Sequence, residues 1–137
     1  MKFFFDNNLS PYLASALREL SHIEPHVDEV IHLRDKFPPN TKDHDWINAL
    51  AREGGWVIIS QDGLQKNDAE RRALKMSGLI VFVLQKQWAQ KSHWPKAHNL
   101  VLWWPAIIGQ SQKIKGGAAF RVPWRFSGVG RFEQIGL

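Results

Sequence analysis

The chain contains no cysteine, which removes disulfide frameworks, zinc–thiolate sites and iron–sulfur clusters from consideration. No uninterrupted apolar run approaches the roughly 20 residues of a bilayer span, and the opening Met1-Lys2-Phe3-Phe4-Phe5 turns polar at Asp6 too soon for a signal-peptide core. These features predict a protein with no membrane association, placed in the cytoplasm. Missing too are a Gly-x-Ser-x-Gly elbow, a Gly-x-x-x-x-Gly-Lys-Ser/Thr loop and a His-Glu-x-x-His pair, so no strong motif marks a serine hydrolase, a P-loop enzyme or a zinc protease. Acids are nearly absent from the second half. Through Glu70 there are 7 Lys plus Arg and 12 Asp plus Glu, a net −5, whereas Arg71 onward carries 11 basic residues and only Glu133 in opposition, a net +10. An acidic half able to hold a cation beside a basic half able to hold a polyanion is what a nucleic-acid enzyme needs, although an ordinary solubilising surface accounts for the same charges.

With 137 residues, 44% of them hydrophobic, one domain spanning 1–137 can bury a core without staples. Lys2-Phe3-Phe4-Phe5 reads as a buried strand closed by Asp6-Asn7-Asn8. Ser10-Pro11 starts a helix whose apolar face carries Leu13, Leu17 and Leu20 and which ends near Ser21-His22. Val27, Val30 and Ile31 make a second strand-like passage, and Phe37-Pro38-Pro39-Asn40 forbids regular structure. Thr41-Lys42-Asp43 begins a helix with Trp46, Ile47, Leu50 and Ala51 on one face, stopped at Gly54-Gly55. Trp56–Ser60 follows as a buried strand, Asp68 caps a third helix that runs to Gly78, and Leu79–Leu84 is a fourth strand. Between Gln87 and Ile108 the tryptophans suggest a helix with its packing partners, and residues 116–123 read as loop and extended chain. The alternation predicts an α/β fold: a mostly parallel central sheet flanked by helices, with a core over 1–84 and a Trp-rich helical and extended part over 85–137. Ligands bind such sheets at the carboxyl ends of the strands.

Asp6 and Asp62 stand just beyond two apolar strands, and Asp43 opens the helix that leads into the second. Three carboxylates brought to one edge repel one another unless a cation intervenes, and oxygen-only ligation favours Mg²⁺ or Mn²⁺. Asn7, Asn8 and Ser60 offer hydrogen bonds around such a site. Asp45 adds an acid, but two positions along a regular helix it points away from Asp43. Taken singly, each aspartate is also what a helix start or a strand-end turn places there. The histidines show no paired spacing and read mostly as surface or turn residues; His44, between Asp43 and Asp45, is the one placed to meet a substrate.

Phe3-Phe4-Phe5-Asp6-Asn7-Asn8-Leu9-Ser10-Pro11, followed by Asp43-His44-Asp45-Trp46 on a helix and Ile59-Ser60-Gln61-Asp62 closing a strand, resembles the PIN-like domain family. The continuation through the Trp-rich helix to Phe120-Arg121-Val122-Pro123 resembles the larger PIN-like proteins grouped with VapC-type toxins of bacterial toxin–antitoxin systems. That resemblance implies a three-layer domain and a metal-dependent endoribonuclease, with RNA as substrate and a cognate antitoxin as partner. Carried over position by position, Asp6, Asn8, Asp43 and Asp62 match the catalytic motif, with Asp6, Asp43 and Asp62 as metal ligands. PIN nucleases gather a fourth acid that has no clear counterpart here; Asp45 is the nearest candidate, with Asp28 or Glu29 behind it. A carboxylate-held metal needs no protein nucleophile to hydrolyse a phosphodiester. Ser60, Arg71, Arg72 and Lys75 are then expected to contact RNA, with Lys86, Lys91 and Lys96 as further phosphate contacts. Trp46, Trp56, Trp103 and Trp104 sit in apolar company that favours the core, while Trp-rich surface near the C-terminus offers an antitoxin docking site or a homodimer interface. Two alternatives accompany this reading. One is a binding module that keeps the fold without efficient catalysis; the other is an aspartate-using phosphotransfer domain, for which Lys86 would be the strand-end lysine.

Overall fold

The computed structural model describes residues 1–137. Four short apolar segments alternate with helices in the order β1 (Lys2–Phe5), α1 (Pro11–Leu20), β2 (Glu29–His32), α2 (Asp43–Glu53), β3 (Trp56–Ser60), α3 (Asp68–Ser77) and β4 (Ile80–Leu84). The chain continues through α4 (Lys86–Ala89), the long α5 (His93–Lys113), β5 (Ala118–Val122) and β6 (Glu133–Ile135). All six strands form one sheet in the order β2-β1-β3-β4-β5-β6, parallel throughout except for the antiparallel β5–β6 pair. The α/β expectation and its three layers are therefore met. Residues 85–137, expected as a helical and extended part, supply two strands of the same sheet as well as α4 and α5.

Period-two alternation divides the core. Phe3 and Phe5 of β1, Val57 and Ile59 of β3, and Phe82 and Leu84 of β4 face the layer of α1 and α5, where Leu13, Leu17, Leu100, Trp103 and Trp104 pack. Phe4, Ile58 and Val81 face the opposite layer, built from Trp46, Ile47 and Leu50 of α2 and Leu74 of α3. Both faces of the sheet are thus covered by helices, which explains why its strands read as continuous apolar runs. Trp46, Trp56, Trp103 and Trp104 are buried as their neighbours suggested; Trp88 joins them, and only Trp94 is widely exposed.

Local chemistry sets the element ends. Ser10 caps α1 by accepting from the Tyr12 amide at 3.1 Å, and Pro11 occupies the first turn where its missing N–H costs nothing. Gly54 and Gly55, with φ of 77° and 78°, stop α2 in a conformation that side chains disfavour. The cap of α3 is Asn67, not the expected Asp68: its Oδ1 accepts from the Glu70 amide at 2.9 Å. β2 is limited to Glu29–His32 and includes a histidine that is not on the surface. His32 is 1% exposed; its Nε2–H donates to the Leu9 carbonyl at 2.7 Å and its Nδ1 accepts from the Arg34 amide at 3.1 Å. The ring thereby ties the end of β2 to the loop after β1.

Candidate active site

The chain leaves β1 through α1 to reach β2 on one side, then returns through α2 to place β3 on the other. Strand order therefore reverses between β1 and β3, and α1 and α2 lie on opposite faces of the sheet. A crevice opens at the carboxyl ends of strands at such a point. Asp6 and Asp62 flank it. The Asp6 amide donates to the Ile59 carbonyl at 3.0 Å, so the residue continues the β1–β3 ladder by one step before the chain turns.

Asp6 is 1% exposed and has no cationic partner. Its Oδ1 accepts from the Asn7 amide at 2.6 Å and its Oδ2 from the Ser60 hydroxyl at 3.0 Å. Burial, followed by the negative charge of Asp62 and then of Asp43, outweighs these hydrogen bonds and raises the Asp6 carboxyl from 3.8 to about 7. Asp43 is also raised: burial is the main cause, opposed by the Trp46 indole N–H at 3.0 Å and reinforced by the charges of Asp62 and Glu70. For Asp62, burial pushes upward, but Lys66, then the Asn8 side chain and the Leu64 amide, prevail and hold the carboxyl below its ordinary value. The Lys66 Nζ stands 2.9 Å from Asp62 Oδ2.

The three expected aspartates thus lie within range of one another's charge. No three acidic or imidazole side chains form a cluster able to hold a metal ion; Asp43 is engaged by Trp46, and Asp62 by Lys66 and Ser60. The donor set nevertheless fits a hard divalent cation: several carboxylate oxygens, one of them buried without counter-charge, and no sulfur.

Asp45, the expected fourth acid, is not brought to this edge; its side chain is 62% exposed and pairs with His44 at 3.3 Å. Asp28 pairs instead with the N-terminal ammonium at 2.7 Å, and Glu29 is exposed on β2. The acid that sequence reasoning missed is Glu70. It is buried in the first turn of α3, its charge acts on Asp43, and its Oε2 accepts from the Lys66 amide at 3.0 Å. The Asn67-x-x-Glu70 spacing, a variant of the capping box, was the available signal.

Ser60 is fully buried and lies between Asp6 and Asp62, its hydroxyl oxygen 3.0 and 3.1 Å from the two carboxylates and its single proton able to serve either. Its expected RNA contact is corrected accordingly: it has no solvent face. Arg71, Arg72 and Lys75 are exposed on α3, Arg71 pairing with Asp68, and they line neither cleft beside the acids. One cleft, of about 650 Å³, runs from Asp62 past Lys66 and Gln61 to Lys86 and Arg121. The other, of about 580 Å³, is lined by Asp43, His44, Asn67 and Glu70. His44 therefore does face a cleft beside two of the acids.

A family model described as a PIN like domain matches residues 1–86. The chain belongs to the PIN-like domain family. The matched stretch contains all four strands and carboxylates that build the crevice, from β1 and Asp6 through β4. Membership of this nuclease-type superfamily supports a hydrolase assignment, and PIN domains typically use divalent metals. No curated protein and no solved structure matches the chain. No helix is long and apolar enough to cross a membrane.

Proposed function

We propose that the chain is a metal-dependent endoribonuclease, in the role of the toxin of a type II toxin–antitoxin pair, with Asp6, Asp43, Asp62 and Glu70 holding Mg²⁺ or Mn²⁺. The observation that carries this reading is the buried, cation-free Asp6 carboxylate facing two further aspartates at the switch point of a PIN-like sheet. A divalent ion held there supplies charge neutralisation at the scissile phosphate and acidifies the attacking water. Ser60 fixes the separation of Asp6 and Asp62, and Trp46 orients Asp43. Lys86 and Arg121, which line the larger cleft with Arg121 paired to Glu133 at 2.8 Å, would meet flanking phosphates in this reading. A cognate antitoxin and a second copy of the chain are the protein partners this reading implies.

Incubation of the purified chain with a mixed RNA pool, in Mg²⁺, Mn²⁺ or EDTA, tests the assignment. Cleavage in either metal, lost in EDTA and reduced at least about 100-fold in folded Asp6→Asn and Asp62→Asn variants, is the expected result. RNA binding without cleavage under any metal would leave a PIN-like binding module instead.

A further inference from the structure

The larger cleft holds a cation already. Lys66 Nζ lies 2.9 Å from Asp62 Oδ2, and Asp62, Asp43 and Glu70 together strengthen its hold on its proton. Its backbone is fixed as well, since the Lys66 amide donates to the buried Glu70 carboxylate at 3.0 Å, immediately before the Asn67 cap of α3. The side chain, by contrast, is 62% exposed, while that of Asp62 is only 16% exposed. An anchored stem thus carries an exposed, exchangeable ammonium onto a largely buried carboxylate.

The geometry points to Lys66 as the resident counter-cation of the acidic site: it holds Asp62 when no divalent ion is bound, and must release it for one to bind. This inference rests on the metal site proposed above and assigns a competitor within it. Lys66 pairs with Asp62 and makes no ion pair with Asp6, which stays buried beside the charge of Asp62 with no positive partner of its own. Asp62 Oδ1 already accepts from the Leu64 amide at 3.0 Å and lies 3.1 Å from the Ser60 hydroxyl, so Oδ2, the oxygen that Lys66 holds, is the one a divalent ion would have to take from the ammonium. Removing the ammonium frees that oxygen and eliminates the repulsion between Lys66 and the incoming ion.

Isothermal titration of the full chain with Mn²⁺ alone tests this without reference to activity. Lys66→Met, which keeps the aliphatic stem, is expected to tighten Mn²⁺ binding by about fivefold, and Lys66→Arg to bind as the wild type does. In EDTA the Lys66→Met chain is expected to melt at a lower temperature than the wild type, and to gain more from saturating Mn²⁺. If Asp6→Asn abolishes Mn²⁺ binding while Lys66→Met leaves it unchanged or weaker, the role of Lys66 is overturned and the metal site stands. If neither the wild type nor Lys66→Met binds Mn²⁺ at millimolar concentration, both fall.

Discussion

Replacing Asp6 by asparagine should stabilise the metal-free protein, although it removes the residue most central to the site. In the fold the Asp6 carboxyl is raised to about 7, against 3.8 when it is free of its surroundings. The gap of about 3 pH units is equivalent to about 4 kcal/mol at 1.36 kcal/mol per unit. Because the folded form binds this proton more tightly than the unfolded chain, the group's favourable contribution is complete below 3.8. It is lost as pH rises toward 7 and stays lost above that. At pH 4.5 the penalty removed by Asp6→Asn is only about 1 kcal/mol, and at pH 8 it reaches about 4 kcal/mol. The asparagine has partners ready: its oxygen can accept from the Asn7 amide, and its NH₂ can donate to Ser60 Oγ, which then donates to Asp62. Urea unfolding followed by circular dichroism in EDTA, at pH 4.5 and pH 8, measures the difference. A variant less stable than the wild type at pH 8, or one whose advantage does not grow with pH, would refute the reasoning. Saturating Mn²⁺ should reverse the order, since only the wild type gains from an ion at this carboxylate.

Glu70→Gln keeps an acceptor for the Lys66 amide, so it should cost under about 1 kcal/mol of stability while lowering metal-dependent RNA cleavage at least about tenfold. Asp45→Asn, at an exposed position, should leave cleavage within about twofold. Trp104→Phe removes the indole N–H that reaches the buried Ser21 hydroxyl at 2.8 Å, and thermal unfolding should register a loss of about 1–3 kcal/mol. Gly130→Ala places a methyl 2.5 Å from the Ala106 side chain at a φ of +63°, and should destabilise by about 2 kcal/mol or more in the same assay.

How far the sequence could be read depended on how local each signal was. β1, α1, α2, β3 and β4 are announced by apolar period and by caps or glycines within a few residues, and all five lie close to where those signals put them. Asp6 and Asp62 were legible for the same reason, as polar residues directly after buried strands. Glu70 was not, because its importance comes from the packing of α3 against α2, which brings an ordinary first-turn acid beside Asp43. Asp45 was the nearest candidate in sequence for a fourth acid, but helical direction already argued against it, and the structure turns it to solvent beside His44. β6 carries only three residues, two of them polar, and exists because β5 offers an unpaired edge. His32 escaped notice since both its hydrogen bonds go to backbone atoms, one of them 23 residues away.

The indole of Trp46 is fully buried and donates its single hydrogen bond to the Asp43 carboxylate, so the chain carries a built-in optical reporter of its acidic edge. Any cation that draws the Asp43 oxygen away, or changes the field around it, alters the emission of this fluorophore, while Trp103 and Trp104 emit from the opposite side of the sheet. A Trp46→Phe chain supplies the blank, and the difference spectrum reads the loading of the site in real time without a label.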